Sequence, residues 1–352
     1  MSAAGTNAIE AAPRRVLIPP QLPPARQLGR GALGLPVWSL TGETMGTHWR
    51  ARVIARPSNT TDDKADARGV ITTALDRVVA LMSPWETSSD LGRFAAAPAG
   101  ARVTLARETS LVLDRALAVA RLTDGAYDPS LGTVIDLLGF GPTDPSRRHD
   151  PDHPTVKAAR HAAGFDRLDF NPTTHTVRQP GGVRLDLCSI AKGYAVDLAS
   201  DALHRVGWTN HFIEIGGDAR GRGCKADGQP WWCALDPVSG APETVAALFD
   251  HAVATSGNTH HFFNHPSGRV GHIVPRVAPD PASPATETIV TVLAPACIDA
   301  DVWATALHLL GPDLGRDLAE SHQLAACWFL PPGRSRLAGS EVRTSAFDGL
   351  LT

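Results

Sequence analysis

Leu185-Asp186-Leu187-Cys188-Ser189-Ile190-Ala191-Lys192-Gly193-Tyr194-Ala195-Val196-Asp197 is the stretch from which the chain is best read. Val183 to Leu187 is a short strand-like run, and Ile190 to Val206 has a helical pattern, so a tight strand-to-helix turn is expected between them. Such a junction offers backbone N–H groups and the single cation of Lys192 to an anion. A surface lysine beside a carboxylate would give the same letters, so the stretch alone names no reaction. Downstream, Phe212–Ile215 ends at Gly216-Gly217, and further strand-like runs follow near Trp232–Leu235, Val253–Thr255, His272–Val274 and Glu287–Leu293. Several of these lack an intervening helix. That favours an α+β fold with mixed or antiparallel sheets and packed helices over a doubly wound parallel sheet.

Upstream, Val70, Ala74, Val78 and Leu81 recur at helical spacing within 65–82, and Leu111, Leu113, Leu117 and Ala120 within 107–122. Gly139 to Pro154 is turn chemistry and predicts an exposed connection, followed by a short helix near Val156–Ala163. Residues 1–36 are rich in Ala, Pro, Gly and Arg without a hydrophobic period. They read as a flexible N-terminal arm, leaving residues 37–345 as one functional domain.

The chain has 352 residues, 43% of them hydrophobic, and a formal net charge of −3. With no basic excess to neutralise phosphate backbones, nucleic acid is disfavoured as a partner, and a small molecule or a protein is favoured. Five cysteines without a CxxC spacing indicate reduced thiols, with neither a zinc site nor a disulfide framework. Arg14-Arg15 is followed by only Val16-Leu17-Ile18 before Pro19-Pro20, too short for an export signal, and no membrane span is visible. A cytoplasmic protein is expected.

A second chemical segment is Ala300-Asp301-Val302-Trp303-Ala304-Thr305, where Asp301 and Thr305 lie four apart and share a helical face. A carboxylate and a hydroxyl offered together suit Mg²⁺, although a helix cap with a neighbouring threonine reads the same way. Met45, within Glu43–Trp49, and Trp85, within Met82-Ser83-Pro84-Trp85, have polarizable groups suited to a flat ring and equally suited to a core. Asp124–Ser130 and Ala254–Gly257 are turn-rich, and His272 is a candidate base among 14 histidines.

In order along the chain, Met-Gly-Thr (45–47), Met-Ser-x-Trp (82–85), Gly-Ala-Tyr-Asp-Pro (125–129), Gly-Phe-Gly-Pro (139–142), Asp-x-x-x-x-Ala-Lys-Gly-Tyr-Ala-x-Asp (186–197), Ile-Gly-Gly-Asp (215–218), Thr-Ser-Gly (255–257), His-Ile (272–273) and Ala-Asp-x-x-Ala-Thr (300–305) resemble the FAD:protein FMN transferase family, the ApbE-type proteins. The resemblance spans about residues 40 to 330. It implies an α+β fold of T-shaped outline with FAD in a cleft between its parts. Met45 and Trp85 would meet the flavin ring, Ala126, Tyr127 and Asp128 would line the FAD pocket, and Asp186, Lys192 and the backbone of Ile273 would touch FAD. Magnesium would take the Ser189 carbonyl and the side chains of Asp301 and Thr305. Lys192, Asp301 and His272 would form the catalytic set. The implied reaction moves FMN from FAD to a Ser or Thr hydroxyl of an acceptor flavoprotein carrying an Asp-x-x-Ser/Thr-Gly-Ala-Ser/Thr motif, and AMP leaves.

Two departures stand out. After His272-Ile273 the family's Asp-Pro-Arg-Thr-Gly-like turn is replaced by Val274-Pro275-Arg276-Val277-Ala278, so its acid and Thr-Gly are missing, and the proline-bearing stretch 276–286 reads as a reshaped acceptor-binding loop. The family is mainly exported and often lipidated, whereas neither signal is evident in this sequence. A Mg²⁺-dependent FAD pyrophosphatase and a non-catalytic FAD-binding protein are the competing readings.

Overall fold

A computed structural model describes residues 15–19, 34–57, 61–235, 243–259, 261–266, 268–277, 288–330 and 341–352. In chain order the first half contains strands β1 (Arg15–Leu17), β2 (Val37–Thr44) and β3 (Thr47–Ile54), helices α1 (Thr61–Met82) and α2 (Asp90–Ala96), strand β4 (Arg102–Thr104), helices α3 (Arg107–Leu122), α4 (Gly132–Leu137) and α5 (Pro154–Ala162), and the short strands β5 (Phe170–Asn171) and β6 (Thr176–Arg178). Helix α6 (Cys188–Arg205) opens the second half. Strands β7 (His211–Ile215), β8 (Asp218–Arg222), β9 (Trp231–Ala234), β10 (Thr244–Leu248), β11 (His251–Gly257), β12 (Phe262–His265), β13 (Gly268–Gly271) and β14 (Ile289–Ala294) follow it. Helix α7 (Cys297–Ser321), strands β15 (Ala325–Phe329) and β16 (Glu341–Arg343) and helix α8 (Ser345–Asp348) complete the order.

The main sheet has eight strands in the order β16-β15-β14-β11-β8-β7-β3-β2, and every neighbouring pair in it is antiparallel. Successive strand residues face opposite ways, and here both faces are covered. On one face Ile213, Ala252, Val290, Val292, Ala326 and Trp328 share a core with α1, α3, α6 and α7. The alternate residues Phe212, Val253, Leu293, Cys327 and Phe329 pack instead with Leu17, Trp231, Ala246 and Leu248, which belong to the three-stranded sheet β1-β10-β9. The α+β reading is therefore correct, and the period-two alternation is what places helices on one side and a second sheet on the other.

The expected arm contains part of this second layer. Arg15, Val16 and Leu17 pair in parallel with Thr244, Val245 and Ala246, and Leu17 is fully buried. Three residues of strand are too short for a hydrophobic period to show. Residues 1–14 and 20–33 lie outside the described residues. The fold also runs past residue 345, because Leu351 bridges Leu17.

The helices begin and end close to expectation, but two faces differ. In α3 the buried residues include Val112, Leu113, Ala116, Leu117 and Ala120, whereas Leu111 stands 56% exposed, since at 100° per residue it falls off that face. In α1 the core takes Ala67, Ile71, Ala74, Leu75 and Val78, with Val70 and Leu81 at its margin. The connection 139–154 is mostly exposed from Thr143 onward, with His149 and Pro151 half-buried, while Phe140 stacks on Phe263 of β12 at 5.8 Å. Val183–Leu187 is not a sheet strand: Arg184 bridges Leu131 alone and the Asp186 N–H donates to the Pro129 carbonyl at 2.8 Å. Nor is His272–Val274 a strand, since the β12–β13 hairpin ends at Gly271. Among the described residues no helix is long and apolar enough to cross a membrane.

Candidate active site

The site is made by the close approach of α6 and α7. At position 193 any side chain would obstruct it, because a Cβ there would lie 2.3 Å from the Cys297 carbonyl oxygen and 2.7 Å from the Asp301 Cβ. Glycine lets α7 lie on the α6 backbone. The Gly193 N–H then donates to Asp301 Oδ2 at 2.8 Å. The carbonyl four residues back, that of Ser189, has two lone pairs and so has capacity for a partner besides the helix. Asp197, one turn beyond Gly193 on α6, accepts the N–H groups of Cys297 at 3.0 Å and Ile298 at 2.9 Å and so caps α7 at its start. It also pairs with Arg220 at 2.5 Å.

Into this junction the β7–β8 hairpin delivers Asp218. Its two-residue loop, Gly216-Gly217, has φ of 55° and 100°, a left-handed pair that glycine adopts without strain. The Lys192 ammonium bonds to Asp218 and lies 3.5 Å from Asp301 Oδ1. Burial works against the lysine charge, but the two carboxylates outweigh it and raise its pKa, so Lys192 is cationic. Asp218 is pushed up by burial, with Lys192 opposing. Two carboxylates face one ammonium, so the cluster has room for further positive charge.

Thr305, one turn beyond Asp301 and 5% exposed, shares a hydrogen bond with Ser256 of β11 at 3.0 Å. Among the described residues no three His, Cys, Asp or Glu side chains converge on a common point. A hard cation here would draw instead on one carboxylate, a hydroxyl and a main-chain carbonyl, with the rest of its shell from water or substrate. Asp301, Thr305 and Ser189 are oxygen donors of that kind and fit Mg²⁺.

Other expected residues border this cluster. Tyr127 is buried, its hydroxyl accepts from Ser189 Oγ at 3.2 Å, and burial raises its pKa. Ala126 sits in the turn before it, its N–H bonded to the Thr123 carbonyl at 3.0 Å. Asp128 organises that turn: it accepts from the Ser130 N–H at 2.9 Å and the Phe165 N–H at 3.1 Å, with burial raising its pKa. Asp186 accepts the Cys188 N–H at 2.8 Å across the start of α6, and burial lifts its carboxyl above the ordinary range.

Met45 occupies the two-residue β2–β3 turn at φ 50°, a conformation disfavoured for a residue with a side chain. Just after that turn Thr47 packs against the β7–β8 loop, its Cγ2 3.0 Å from where a Cβ on Gly216 would stand. Trp85, just beyond α1, is 56% exposed.

His272 follows β13, and its Nδ1 lies 3.2 Å from the His261 carbonyl. Burial lowers its pKa to about 4, with the Lys192 charge acting in the same direction. At neutral pH the imidazole is therefore an unprotonated base. The altered turn after it is anchored despite its missing acid: Val274 enters the small core of Leu131, Val134, Leu138 and Val156, and the Arg160 guanidinium donates to the Pro275 carbonyl. Arg276 reaches back to Asp166 at 3.6 Å and Asp128 at 4.0 Å. The stretch 278–287 lies outside the described residues, and with it most of the expected acceptor loop.

Sequence reasoning gave no role to Asp218 or Ser256, although both stand in quoted segments, and it overlooked Asn258 and His308. Asp218 could have been found as the residue closing a Gly-Gly hairpin beside a lysine motif. Nothing in the sequence signals Asn258, which acts through a side chain folded back on residue 273.

A family profile described as the ApbE family matches residues 45–328. The FAD:protein FMN transferase of Vibrio cholerae is 32% identical over 290 residues, covering 81% of this chain and 85% of the relative. That of Haemophilus influenzae is 32% identical over 301 residues, covering 82% and 85%. The flavinyl transferase ApbE of Pseudomonas stutzeri in its apo form superposes with a TM-score of 0.78 at 29% identity, covering 90% of this chain and 97% of that one.

Proposed function

The chain belongs to the ApbE family, and we infer from that membership that it is a FAD:protein FMN transferase. The observation that carries its chemistry is the Lys192 ammonium, bonded to Asp218 and facing Asp301 one turn before Thr305. Phosphoryl transfer asks a protein chiefly for positioning and for positive charge beside the phosphates, and this cluster is arranged to supply both.

In this reading Lys192, held cationic by its two carboxylates, binds the pyrophosphate of FAD. Asp301, Thr305 and the Ser189 carbonyl would hold Mg²⁺, which when bound offsets further charge on the phosphates. Met45 and Trp85 take the flavin ring, Ala126, Tyr127 and Asp128 border the pocket, and Asp186 and the backbone of Ile273 complete the FAD contacts. His272, neutral at physiological pH, takes the proton from a Ser or Thr hydroxyl of the acceptor protein. That oxygen bonds to the FMN-side phosphorus, the bridging P–O bond breaks, and its electron pair leaves with AMP. The product is FMN joined to the acceptor by a phosphodiester.

The test is incubation with FAD, Mg²⁺ and an acceptor carrying an Asp-x-x-Ser/Thr-Gly-Ala-Ser/Thr segment, with AMP release and covalent flavin fluorescence followed together. Stoichiometric AMP and labelled acceptor are expected. AMP without label would make the enzyme a pyrophosphatase, and bound FAD with neither product would make it a flavin carrier.

A further inference from the structure

Asn258 lies just past the end of β11 and is 5% exposed. Its Oδ1 accepts the Ile273 N–H at 3.0 Å, and its Nδ2 donates to the Ile273 carbonyl at 3.4 Å, so one amide engages both backbone groups of a residue fifteen positions away. Gly271 makes room for this: a Cβ there would stand 2.0 Å from the Asn258 Cγ. Because a backbone N–H can only donate, the contact to Ile273 fixes which end of the amide is oxygen. The NH₂ end therefore faces His308, whose Nε2 lies 3.2 Å away and must accept. The imidazole proton is then on Nδ1, directed at Thr288 Oγ1 at 3.4 Å. His308 is 2% exposed and lies on α7 three residues beyond Thr305.

These bonds run from the helix carrying Asp301 and Thr305 to the segment carrying His272 and Ile273. We propose that Asn258 is a positioning residue, whose amide, held by the Nδ1–H tautomer of His308, fixes the Ile273 backbone and so sets His272 in register with the Lys192–Asp301 cluster. The proposal rests on the transferase reading for the role of His272, but the clamp itself rests only on the hydrogen bonds above. Asn258→Ala removes the bonds to Ile273 and to His308 Nε2. Asn258→Asp keeps an acceptor for the Ile273 N–H, and His308→Gln offers an amide oxygen where Nε2 accepted.

Transfer rates are to be normalised to the concentration of FAD-binding sites, so that loss of folded protein does not count as loss of kcat. Misplacement of a reacting group by about 1 Å costs on the order of 100-fold. A normalised kcat reduced roughly 10- to 100-fold in Asn258→Ala, with partial recovery in Asn258→Asp and a milder loss in His308→Gln than in His308→Leu, supports the proposal. Normalised kcat within twofold of wild type, or equal loss in the Ala and Asp variants, overturns it, since a merely structural role would lower the melting temperature and the number of binding sites alone. Hydrogen exchange of the Ile273 amide separates this outcome from the transferase reading. Slow exchange in the wild type and fast exchange in Asn258→Ala supports the clamp even if no flavin is transferred, and equal exchange in the two overturns it.

Discussion

The carboxylate of Asp197, on α6, accepts the backbone N–H of Ile298 at 2.9 Å, so that one helix of the site supplies the cap of the other. The same carboxylate also binds the Cys297 N–H and the Arg220 guanidinium. The last residue of the Lys-Gly-Tyr-Ala-x-Asp segment thus sets where α7 begins, and with it the height of Asp301 and Thr305 against Lys192. Replacement by alanine leaves Arg220, only 12% exposed at its side chain, without that partner. Breaking a buried ion pair from one side costs about 3–5 kcal/mol. Asp197→Ala is expected to show that loss in urea unfolding. Its folded fraction should also turn over FAD more slowly, although Asp197 touches no substrate in the proposed reaction.

Gly193→Ala tests the helix contact from the other side. The added methyl meets the Cys297 carbonyl and the Asp301 Cβ, both on α7, so the helices must part. Overpacking of this kind costs about 1–3 kcal/mol. A lower melting temperature together with loss of AMP release is expected. An unchanged melting temperature would mean that the helices are free to separate without penalty.

Asp301 and Trp85 should fail in different ways. Asp301→Ala removes the acceptor of the Gly193 N–H and one of the two carboxylates facing Lys192, and it is expected to abolish the Mg²⁺ dependence of AMP release along with turnover. Unchanged rates across a Mg²⁺ titration would remove Asp301 from the metal assignment. Trp85 is 56% exposed, so its replacement by alanine should alter stability by no more than about 0.5 kcal/mol. Loss of aromatic stacking, worth about 0.5–1.5 kcal/mol, should instead weaken FAD binding several-fold in a fluorescence titration.

How far the site could be read from the sequence depended on whether its geometry was local. Asp301 and Thr305 lie on one helical face at a spacing that the sequence states directly, and the helices Arg107–Leu122 and Cys188–Arg205 fall within two residues of where their periodicity starts and stops. The Lys192–Asp218 bond joins residues 26 apart, and Asn258 engages Ile273 across a hairpin. Neither follows any period along the chain. Val183–Leu187 misled for a related reason: its alternation of Val, Leu and Leu reflects burial, but its partners are the Pro129–Leu131 turn and not a sheet.

Acid should destabilise the fold through a histidine remote from this chemistry. His211 is fully buried and neutral: its Nδ1 lies 2.8 Å from the Trp208 carbonyl and its Nε2 2.7 Å from Ser200 Oγ. Burial lowers its pKa from 6.5 to about 3. Between those values the unfolded chain binds the proton and the folded one does not. Stability present above pH 6.5 is therefore lost as pH falls, by up to about 1.4 kcal/mol per pH unit. Urea unfolding of the wild type and of His211→Gln between pH 6 and 4 should show the steeper decline in the wild type. Parallel slopes would contradict the buried neutral state.

Strand β1 imposes an order on the making of this protein. Arg15, Val16 and Leu17 pair with residues 244–246, Leu17 also bridges Leu351, and the Thr352 N–H donates to the Val16 carbonyl. During synthesis from the N-terminus the earliest of these segments must wait, with Leu17 uncovered, until the last has left the ribosome. The entropic penalty of such a long closure falls before its contacts form. The seam between β1 and residues 351–352 should therefore close late in folding, after the rest of the sheet that it borders.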